Sequence, residues 1–237
     1  MKAKITATAK YLPKKTLTNL DLEKMVDTSD EWILSRTGIE KRHLVSNGEA
    51  TSDMCKEVAL ELLKKSNKNP DEIDLILVAT STPDVPVVST AALVQDKIGA
   101  KNAWGYDIVA ACTGFVYAME TGAKLVESGK YKNVIVIGAD TMSSIIDYTD
   151  RNTCVIFGDG GGGVLLEPSG NDCGILDSIL LADGSGHKYL TVPAGGSLRP
   201  ASKETIDKKM HYVYQDGKAV FKFAVKNMAD VSKEILD

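Results

Sequence analysis

The hydrophobic positions of this chain follow two periods, and their alternation predicts a layered α/β fold. Residues 74–80 and 133–138 are almost uninterrupted apolar runs, which is typical of strands buried on both faces. Residues 51–66 carry apolar side chains at helical spacing, and a further helix is predicted over 89–98. Residues 2–9 alternate like a strand. Strands and helices that succeed one another in this way favour a sheet covered by helices.

A turn-rich segment, residues 167–173, interrupts the pattern with Pro, Ser, Gly and Asn. We therefore expect one half over 1–170 and the beginning of a second half over 171–237. The second half should open with a strand over 174–182 and close with a helix over 217–237. The apolar positions of that helix should face inward; they are Phe221, Ala224, Val225, Met228, Val231 and Ile235.

Composition and charge exclude several classes of protein. The chain has 237 residues, 43% of them hydrophobic, which is enough for a large core. A net charge of −4 gives no general signal for nucleic-acid or membrane binding. Residues 1–12 lack the apolar stretch of a signal peptide, and no run reaches the roughly 18 apolar residues of a membrane span. We expect a cytoplasmic protein.

Cys112 is the most informative residue, because it falls at a predicted strand-to-helix turn between a strand over 103–111 and a helix over 113–128. Free N–H groups and the positive end of the helix dipole would stabilise a thiolate there and make it a nucleophile. A free cysteine is also often a small buried residue, so two interpretations stand. The other cysteines are widely spaced, which argues against zinc, and are interpreted as structural thiols: Cys55, Cys154 and Cys173.

Two further motifs can be interpreted only together with the residues that flank them. Residues 158–163 match G-x-G-x-x-G, but strand-like residues follow where a dinucleotide site needs a helix. A helix is predicted over 28–36, with a capping box from Thr28 to Glu31 and a stop at Gly38. Trp32 and Arg36 share one face of it. On these residues alone, Trp32 would be a core residue and Arg36 a solvated one.

Four segments together resemble β-ketoacyl-acyl-carrier-protein synthase III, and they occur in the family's order: 28–39, 107–118, 150–153 and 157–165. The resemblance implies a thiolase-like layered α/β fold with a complete N-terminal half and a truncated C-terminal half. It implies a decarboxylative condensation of a short acyl-CoA with malonyl-acyl-carrier-protein through an acyl-Cys112 intermediate. The Cys112 N–H would be the oxyanion donor. No metal or redox cofactor is needed.

The resemblance also assigns binding residues. Trp32 and Arg151 would clamp the adenine of coenzyme A, with Thr28 and Arg36 nearby, since indole and guanidinium planes both stack on a base. Phe221 would be a further wall of the same tunnel.

Val87 and Phe157 match positions of the acyl pocket, and Val87 would cap the pocket of the partner subunit in a homodimer. The glycines of 158–163 would let the backbone pass close to the nucleophile helix. Because Val87 is small, we expect tolerance of primers longer than acetyl.

Three lysines at spacing four, Lys218, Lys222 and Lys226, are ordinarily a solvated helix face. Lys222 matches a basic position near the tunnel mouth in the family. The alternative is therefore a docking surface for an acidic acyl carrier protein.

The family completes its site with a histidine and an asparagine that lie beyond the last predicted helix. His43, His187 and His211 are expected at the surface rather than as bases. We therefore expect an incomplete chain, whose missing part a second polypeptide could carry and whose last helix would be left exposed or covered by another chain. Two alternatives stay open: another thiolase-fold condensing enzyme with a different extender, or a catalytically silent fragment that binds coenzyme A or a carrier protein.

Overall fold

The computed structural model describes residues 1–171 and 173–237. Its strands are β1 (Ala3–Tyr11), β2 (Lys15–Thr18), β3 (Lys41–Leu44), β4 (Leu75–Ala79), β5 (Trp104–Ile108), β6 (Val134–Thr141), β7 (Asp159–Pro168), β8 (Leu190–Thr191) and β9 (Tyr214–Gln215). Its α-helices are α1 (Asn19–Leu22), α2 (Asp30–Thr37), α3 (Thr51–Ser66), α4 (Thr90–Ile98), α5 (Gly114–Glu127), α6 (Arg151–Cys154), α7 (Lys203–Asp207) and α8 (Gly217–Glu234). Short 3₁₀ turns occur at Pro70–Glu72, Ala111–Thr113, Met142–Ile145 and Gly184–Gly186.

The main sheet has the strand order β1-β7-β6-β4-β5. β7 runs antiparallel to both of its neighbours, whereas β6, β4 and β5 are parallel. The carboxyl ends of these three parallel strands meet at one edge of the sheet, which is where α/β folds commonly place their chemistry. β5 is the last strand at one side of this sheet.

Helices cover the sheet on both faces. Ile76, Val78 and Ile135 pack on the side of α3 and α4, while Leu75 and Leu77 pack on the side of α5. All five residues of β4 are buried, because both of its faces are covered. The predicted α/β layering is confirmed, and the helix predicted over 51–66 has those bounds in the structure.

The chain divides into two compact units. The first contains Met1–Lys15, His43–Thr141 and Asp159–Leu180, and the second contains Thr16–Arg42, Met142–Gly158 and Leu181–Asp237. The second unit has its own hydrophobic cluster around Leu22, Ile33 and Val155. The predicted division into 1–170 and 171–237 refers to two copies of a repeated fold unit. The two compact units have other boundaries and do not test this division, which stays a prediction.

The strand predicted over 174–182 is wrong for the described residues. These positions have no regular secondary structure, although the Ile175 N–H donates to the Ala3 carbonyl oxygen at 2.8 Å. The Ile175 side chain packs against the core on the α5 side of the sheet. A strand needs a partner along its whole length, and the hydrogen bond from Ile175 to Ala3 does not by itself provide one.

The last helix, α8, forms as predicted, but its apolar positions do not face inward. None of its residues is buried, and Phe221 and Met228 are each 70% exposed. The prediction of a helix left exposed is thus confirmed for this chain alone. Within residues 1–171 and 173–237, no helix is long and apolar enough to cross a membrane.

Candidate active site

Cys112 lies in the tight turn that joins β5 to α5, and its side chain is exposed. The predicted strand-turn-helix arrangement is confirmed, with the helix beginning at Gly114 after a 3₁₀ turn. The interpretation of Cys112 as a buried structural thiol is wrong. Ala111, directly before it, has a φ of 45°, a left-handed conformation that costs a residue with a Cβ about 1–3 kcal/mol. Backbone strain next to a nucleophile is a recognised feature of functional sites.

The turn also presents backbone donors. Its two closing hydrogen bonds come from the Thr113 N–H, to Ala110 at 3.2 Å, and from the Gly114 N–H, to Ala111. The Cys112 N–H takes part in neither bond. It lies in the first turn of the helical segment, where N–H groups have no partner within the helix. This position suits the predicted oxyanion donor.

Cys112 borders an open cavity of about 420 Å³ in the first unit. Phe115 and Gly138 line it together, and a Cβ on Gly138 would lie 3.1 Å from the Phe115 ring. A glycine in β6 therefore lets the beginning of the nucleophile helix sit against the sheet. The sequence analysis expected a close approach to this helix at residues 158–163, and Gly162 and Gly163 line the same cavity as Cys112 and Phe115. On its other side Gly163 approaches α3, where a Cβ added to it would lie 2.9 Å from the Val58 side chain.

Asp140 is a cavity residue that the sequence analysis did not identify. Among the described residues that line the cavity, it is the one charged side chain. One of its carboxylate oxygens accepts from Thr80 Oγ1 at 3.1 Å, from the Ser81 N–H at 2.8 Å and from Thr82 Oγ1 at 3.0 Å. Asp140 thus fixes the segment that follows β4. The sequence signal that could have identified Asp140 is its position just after the apolar run 133–138, near the carboxyl edge of the sheet.

The other cysteines differ from Cys112. Cys55 and Cys154 are buried, and burial raises the pKa of each thiol, which agrees with a structural role. Cys173 is exposed, so its interpretation as a structural thiol is wrong. Within the part of the chain that the structure describes, no three His, Cys, Asp or Glu side chains come together as metal ligands.

The residues expected to bind coenzyme A occupy the second unit. The Arg36 guanidinium lies 4.8 Å and the Arg151 guanidinium 5.0 Å from the centre of the Trp32 indole ring. Trp32 is half-buried, because it also packs against the cluster of this unit. Its predicted core role and its predicted clamp role are therefore both compatible with its position.

The start of α2 corrects one detail of the sequence analysis. Ser29 is the N-cap, and its Oγ accepts from the Trp32 N–H at 3.1 Å, so the capping box predicted from Thr28 to Glu31 is wrong. The predicted stop at Gly38 is confirmed, with a φ of 68°. The Thr28 hydroxyl oxygen is buried and has no hydrogen-bond partner among the described residues.

Arg151 is held against Trp32 by a second contact. Its Nη1 donates to the Asp27 carbonyl oxygen at 2.8 Å. A base stacked between the two side chains needs two contacts of about 3.5 Å, or about 7 Å in all. The observed 5.0 Å leaves no room for it. Arg151 must therefore move before a base can enter.

The described lining of the cavity includes none of the remaining predicted residues. Phe157 packs against the cluster of the second unit. Val87 is fully exposed at 104%, so it closes no pocket within its own chain. Lys218, Lys222 and Lys226 are exposed along α8, as either interpretation of the stripe requires.

The histidines have local partners. His43 Nδ1 lies 2.6 Å from the Pro13 carbonyl oxygen and belongs to β3, not to a loop as its sequence context suggested. His187 is exposed and lies near the Gly184 carbonyl oxygen. His211 Nε2 lies 2.9 Å from Thr205 Oγ1.

Comparison with known proteins agrees with this arrangement. A family model described as 3-oxoacyl-[acyl-carrier-protein (ACP)] synthase III matches residues 106–184, which include Cys112. Beta-ketoacyl-[acyl-carrier-protein] synthase III of Chlorobium chlorochromatii is 61% identical over all of this chain and 73% of its own length. The crystal structure of 3-oxoacyl-[acyl-carrier-protein] synthase III from Aquifex aeolicus has a TM-score of 0.88 at 43% identity, covering 99% of this chain and 71% of that one.

A further solved structure, a 3-oxoacyl-(acyl-carrier-protein) synthase III at 2.1 Å, has a TM-score of 0.94 at 26% identity, with 100% of this chain and 74% of that one covered. The fold is thus thiolase-like, and neither of the two alternatives left open by the sequence is favoured. The chain belongs to the β-ketoacyl-acyl-carrier-protein synthase III family, acyltransferases that catalyse the initiating condensation of fatty acid synthesis.

Proposed function

We propose that Cys112 accepts a short acyl group from acyl-coenzyme A and passes it to a malonyl-acyl-carrier-protein. The observation that carries this proposal is an exposed thiol at a strained turn, bordering an open cavity at the start of α5. In the first half-reaction the Cys112 sulfur attacks the acyl carbonyl carbon. The bond between that carbon and the coenzyme A sulfur breaks, and the proton of Cys112 leaves with the coenzyme A thiol.

The second half-reaction releases CO₂ from the malonyl group. The electron pair of the broken carbon–carbon bond attacks the acyl carbonyl, and the bond to Cys112 sulfur breaks. The Cys112 thiolate then takes up a proton from solvent, and the two half-reactions together give 3-oxoacyl-acyl-carrier-protein, coenzyme A and CO₂. The Cys112 N–H would stabilise the oxyanion formed in both steps, because donors at a helix start point towards developing negative charge.

Coenzyme A would bind in the second unit. Trp32 and Arg151 would stack on the adenine after Arg151 leaves Asp27, with Arg36 meeting a phosphate. The buried Thr28 hydroxyl, which has no hydrogen-bond partner among the described residues, supports this assignment, since a buried polar group without a partner is costly unless a ligand satisfies it. Phe221 would add a wall to the same tunnel.

The protein would act as a cytoplasmic homodimer in which the acyl pocket is shared. β5 pairs only with β4 in the part of the chain that the structure describes, so its other edge offers free backbone groups. Trp104 on this strand is 45% exposed. Val87 would cap the pocket of the second copy, with Phe157 as a further pocket residue. Sedimentation velocity at micromolar concentration tests the dimer, and a monomer at all concentrations would contradict it.

The acyl carrier protein would dock on Lys218, Lys222 and Lys226. No carboxylate of the described residues forms an ion pair with them. Unpaired surface cations of this kind raise the encounter rate with an acidic partner, and the effect falls with added salt.

Intact-mass spectrometry after incubation with acetyl-coenzyme A tests the first half-reaction by itself. We expect one acetyl adduct, lost on treatment with hydroxylamine as a thioester is. Because Cys173 is also exposed, the test uses a Cys173→Ser background, in which iodoacetamide should label Cys112 ahead of the buried Cys55 and Cys154. Cys112→Ser in that background is the matched control. An adduct that persists in this variant, or none in the parent protein, would contradict the proposal.

A further inference from the structure

The loop between β4 and α4 ends in an exposed apolar tip, formed by Val85, Pro86, Val87 and Val88 and called here the valine tip. Val87 is 104% exposed and has a φ of 80°, while Val85 and Val88 are 48% and 46% exposed. A positive φ is a genuine outlier for a β-branched residue and costs about 1–3 kcal/mol. Such a conformation persists only where the surrounding structure holds it.

Asp84, directly before the tip, accepts the hydrogen bonds that fix the middle of the loop. One of its carboxylate oxygens accepts from the Ser52 N–H at 2.8 Å, and the other accepts from Ser52 Oγ at 2.5 Å. Ser52 is fully buried in the first turn of α3, where backbone N–H groups have no partner within the helix. Lys97 Nζ donates to the same Ser52 oxygen at 2.7 Å. Asp84 is therefore a bidentate anchor on a helix N-terminus.

Two other carboxylates fix the ends of the loop. Asp140 accepts from the Ser81 N–H before the tip. Asp107 of β5 accepts from the N–H groups of Thr90 and Ala91 after the tip, at 2.6 and 2.8 Å. The loop is thus bound at its start, its middle and its end. The tip projects into solvent with an apolar side chain in a strained conformation.

We propose that Asp84 is a positioning residue for acyl-chain selectivity. By binding Ser52 it holds Val87 in the place where that side chain limits the depth of the acyl pocket of a second copy. This inference rests on the proposed function, because it takes Val87 as the residue that meets the acyl chain. Loss of the Asp84 anchor would let the valine tip relax towards negative φ, and the pocket would lose a fixed end wall.

The test compares acylation of Cys112 by acetyl- and hexanoyl-coenzyme A in the full chain. In Asp84→Ala we expect the ratio of the two initial rates to move about tenfold towards unity, with the faster rate changed by less than about threefold. Asp84→Asn keeps one acceptor for the Ser52 N–H and should give an intermediate ratio. Asp96→Ala, an exposed carboxylate on neighbouring α4, is the matched control and should leave the ratio unchanged.

A double variant separates positioning from general loosening. If Asp84 acts through Val87, then Asp84→Ala should have no further effect on the ratio in a Val87→Gly background, since glycine adopts positive φ without strain. Equal effects in both backgrounds would overturn the proposal. Hydrogen exchange at the Ser52 amide reports on the anchor directly and should become at least about tenfold faster in Asp84→Ala.

Faster exchange with an unchanged ratio would also overturn the selectivity role, and unchanged exchange would overturn the anchor itself. If the parent protein forms no adduct with either thioester, the proposed function fails and the selectivity role fails with it. Exchange at Ser52 then still distinguishes an intact anchor from an absent one.

Discussion

Replacement of Gly163 by alanine should destabilise the first unit, because β7 passes too close to its neighbours there for a side chain. A Cβ at this position would lie 2.7 Å from the Val136 carbonyl oxygen, 2.9 Å from Val58 Cγ1 and 3.0 Å from Ile137 Cγ1. Carbon–oxygen contacts between strands normally lie at about 3.3–3.6 Å. By that measure one neighbour must move by about 0.6 Å or more, and Val136 belongs to the hydrogen-bonded ladder of the sheet.

Overpacking of a well-packed core typically costs about 1–3 kcal/mol. For a chain of this size, 1 kcal/mol shifts Tm by about 2–4 °C, so we expect Gly163→Ala to melt about 2–12 °C lower. Thermal unfolding followed by circular dichroism measures the shift, and denaturant titration should show a lower midpoint at an unchanged slope.

Gly162→Ala is the matched control, one residue away in the same strand. The atom nearest to its Cβ would be the Ala9 carbonyl oxygen at 3.7 Å, which is an ordinary contact, and Gly162 is not in the left-handed region. Alanine at a compatible glycine position stabilises by about 0.4–1 kcal/mol through the unfolded state. A Gly163→Ala protein as stable as Gly162→Ala would refute the packing argument.

Gly162 also allows a second measurement. It borders the cavity of Cys112 and lies on the sheet face that packs towards α5, together with Val164 and Leu166. The added methyl group should therefore slow acylation of Cys112 while leaving Tm unchanged or slightly raised. Gly163 lines the cavity as well, so the two variants are told apart by Tm, which should fall in Gly163→Ala alone.

Three further predictions concern the second unit. Arg151→Ala should raise the KM for acetyl-coenzyme A about tenfold and leave acylation by acetyl-N-acetylcysteamine, which has no nucleotide, unchanged; equal losses with both thioesters would contradict the clamp. Lys209 hydrogen-bonds Asp147 and holds the pKa of that carboxyl below its usual range. This stabilisation is therefore present at pH 7 and is lost as the pH falls below about 4. Asp147→Asn should lower the free energy of unfolding in urea by up to about 1 kcal/mol at pH 7 and by less at about pH 3. Replacing exposed Phe221 and Met228 by serine should lower dye binding and aggregation without lowering Tm, and a fall of several degrees would show that they are packed.

The parts of the fold that local pattern determines were predictable. α3 has the bounds that its apolar spacing indicated, and Gly38 ends α2 because a left-handed residue closes the helix. The apolar runs of β4 and β6 correctly indicated burial on both faces. In each case the residues that carry the signal are those that make the contacts.

The predictions that were wrong concern features that depend on residues elsewhere in the fold. The segment 174–182 has the composition of a strand, but pairing is a property of a partner, and sequence pattern does not reveal whether one is present. Ser29 and Thr28 are both good N-cap residues one position apart, and the choice between them depends on the tertiary packing of α2. The apolar face of α8 correctly predicted a helix but said nothing about what would cover it.

The carboxylates at the carboxyl edge of the sheet show why sequence alone misses the supports of a site. Asp84, Asp107 and Asp140 follow or flank apolar strands, and this pattern equally suits metal binding or acid–base chemistry. In the structure each accepts hydrogen bonds from a backbone N–H, so these carboxylates fix loops around the cavity. Carboxylate oxygens engaged in this way are poor candidates for proton transfer. Under the proposed function, the covalent step at this edge belongs to Cys112, whose thiol is exposed and accepts the acyl group.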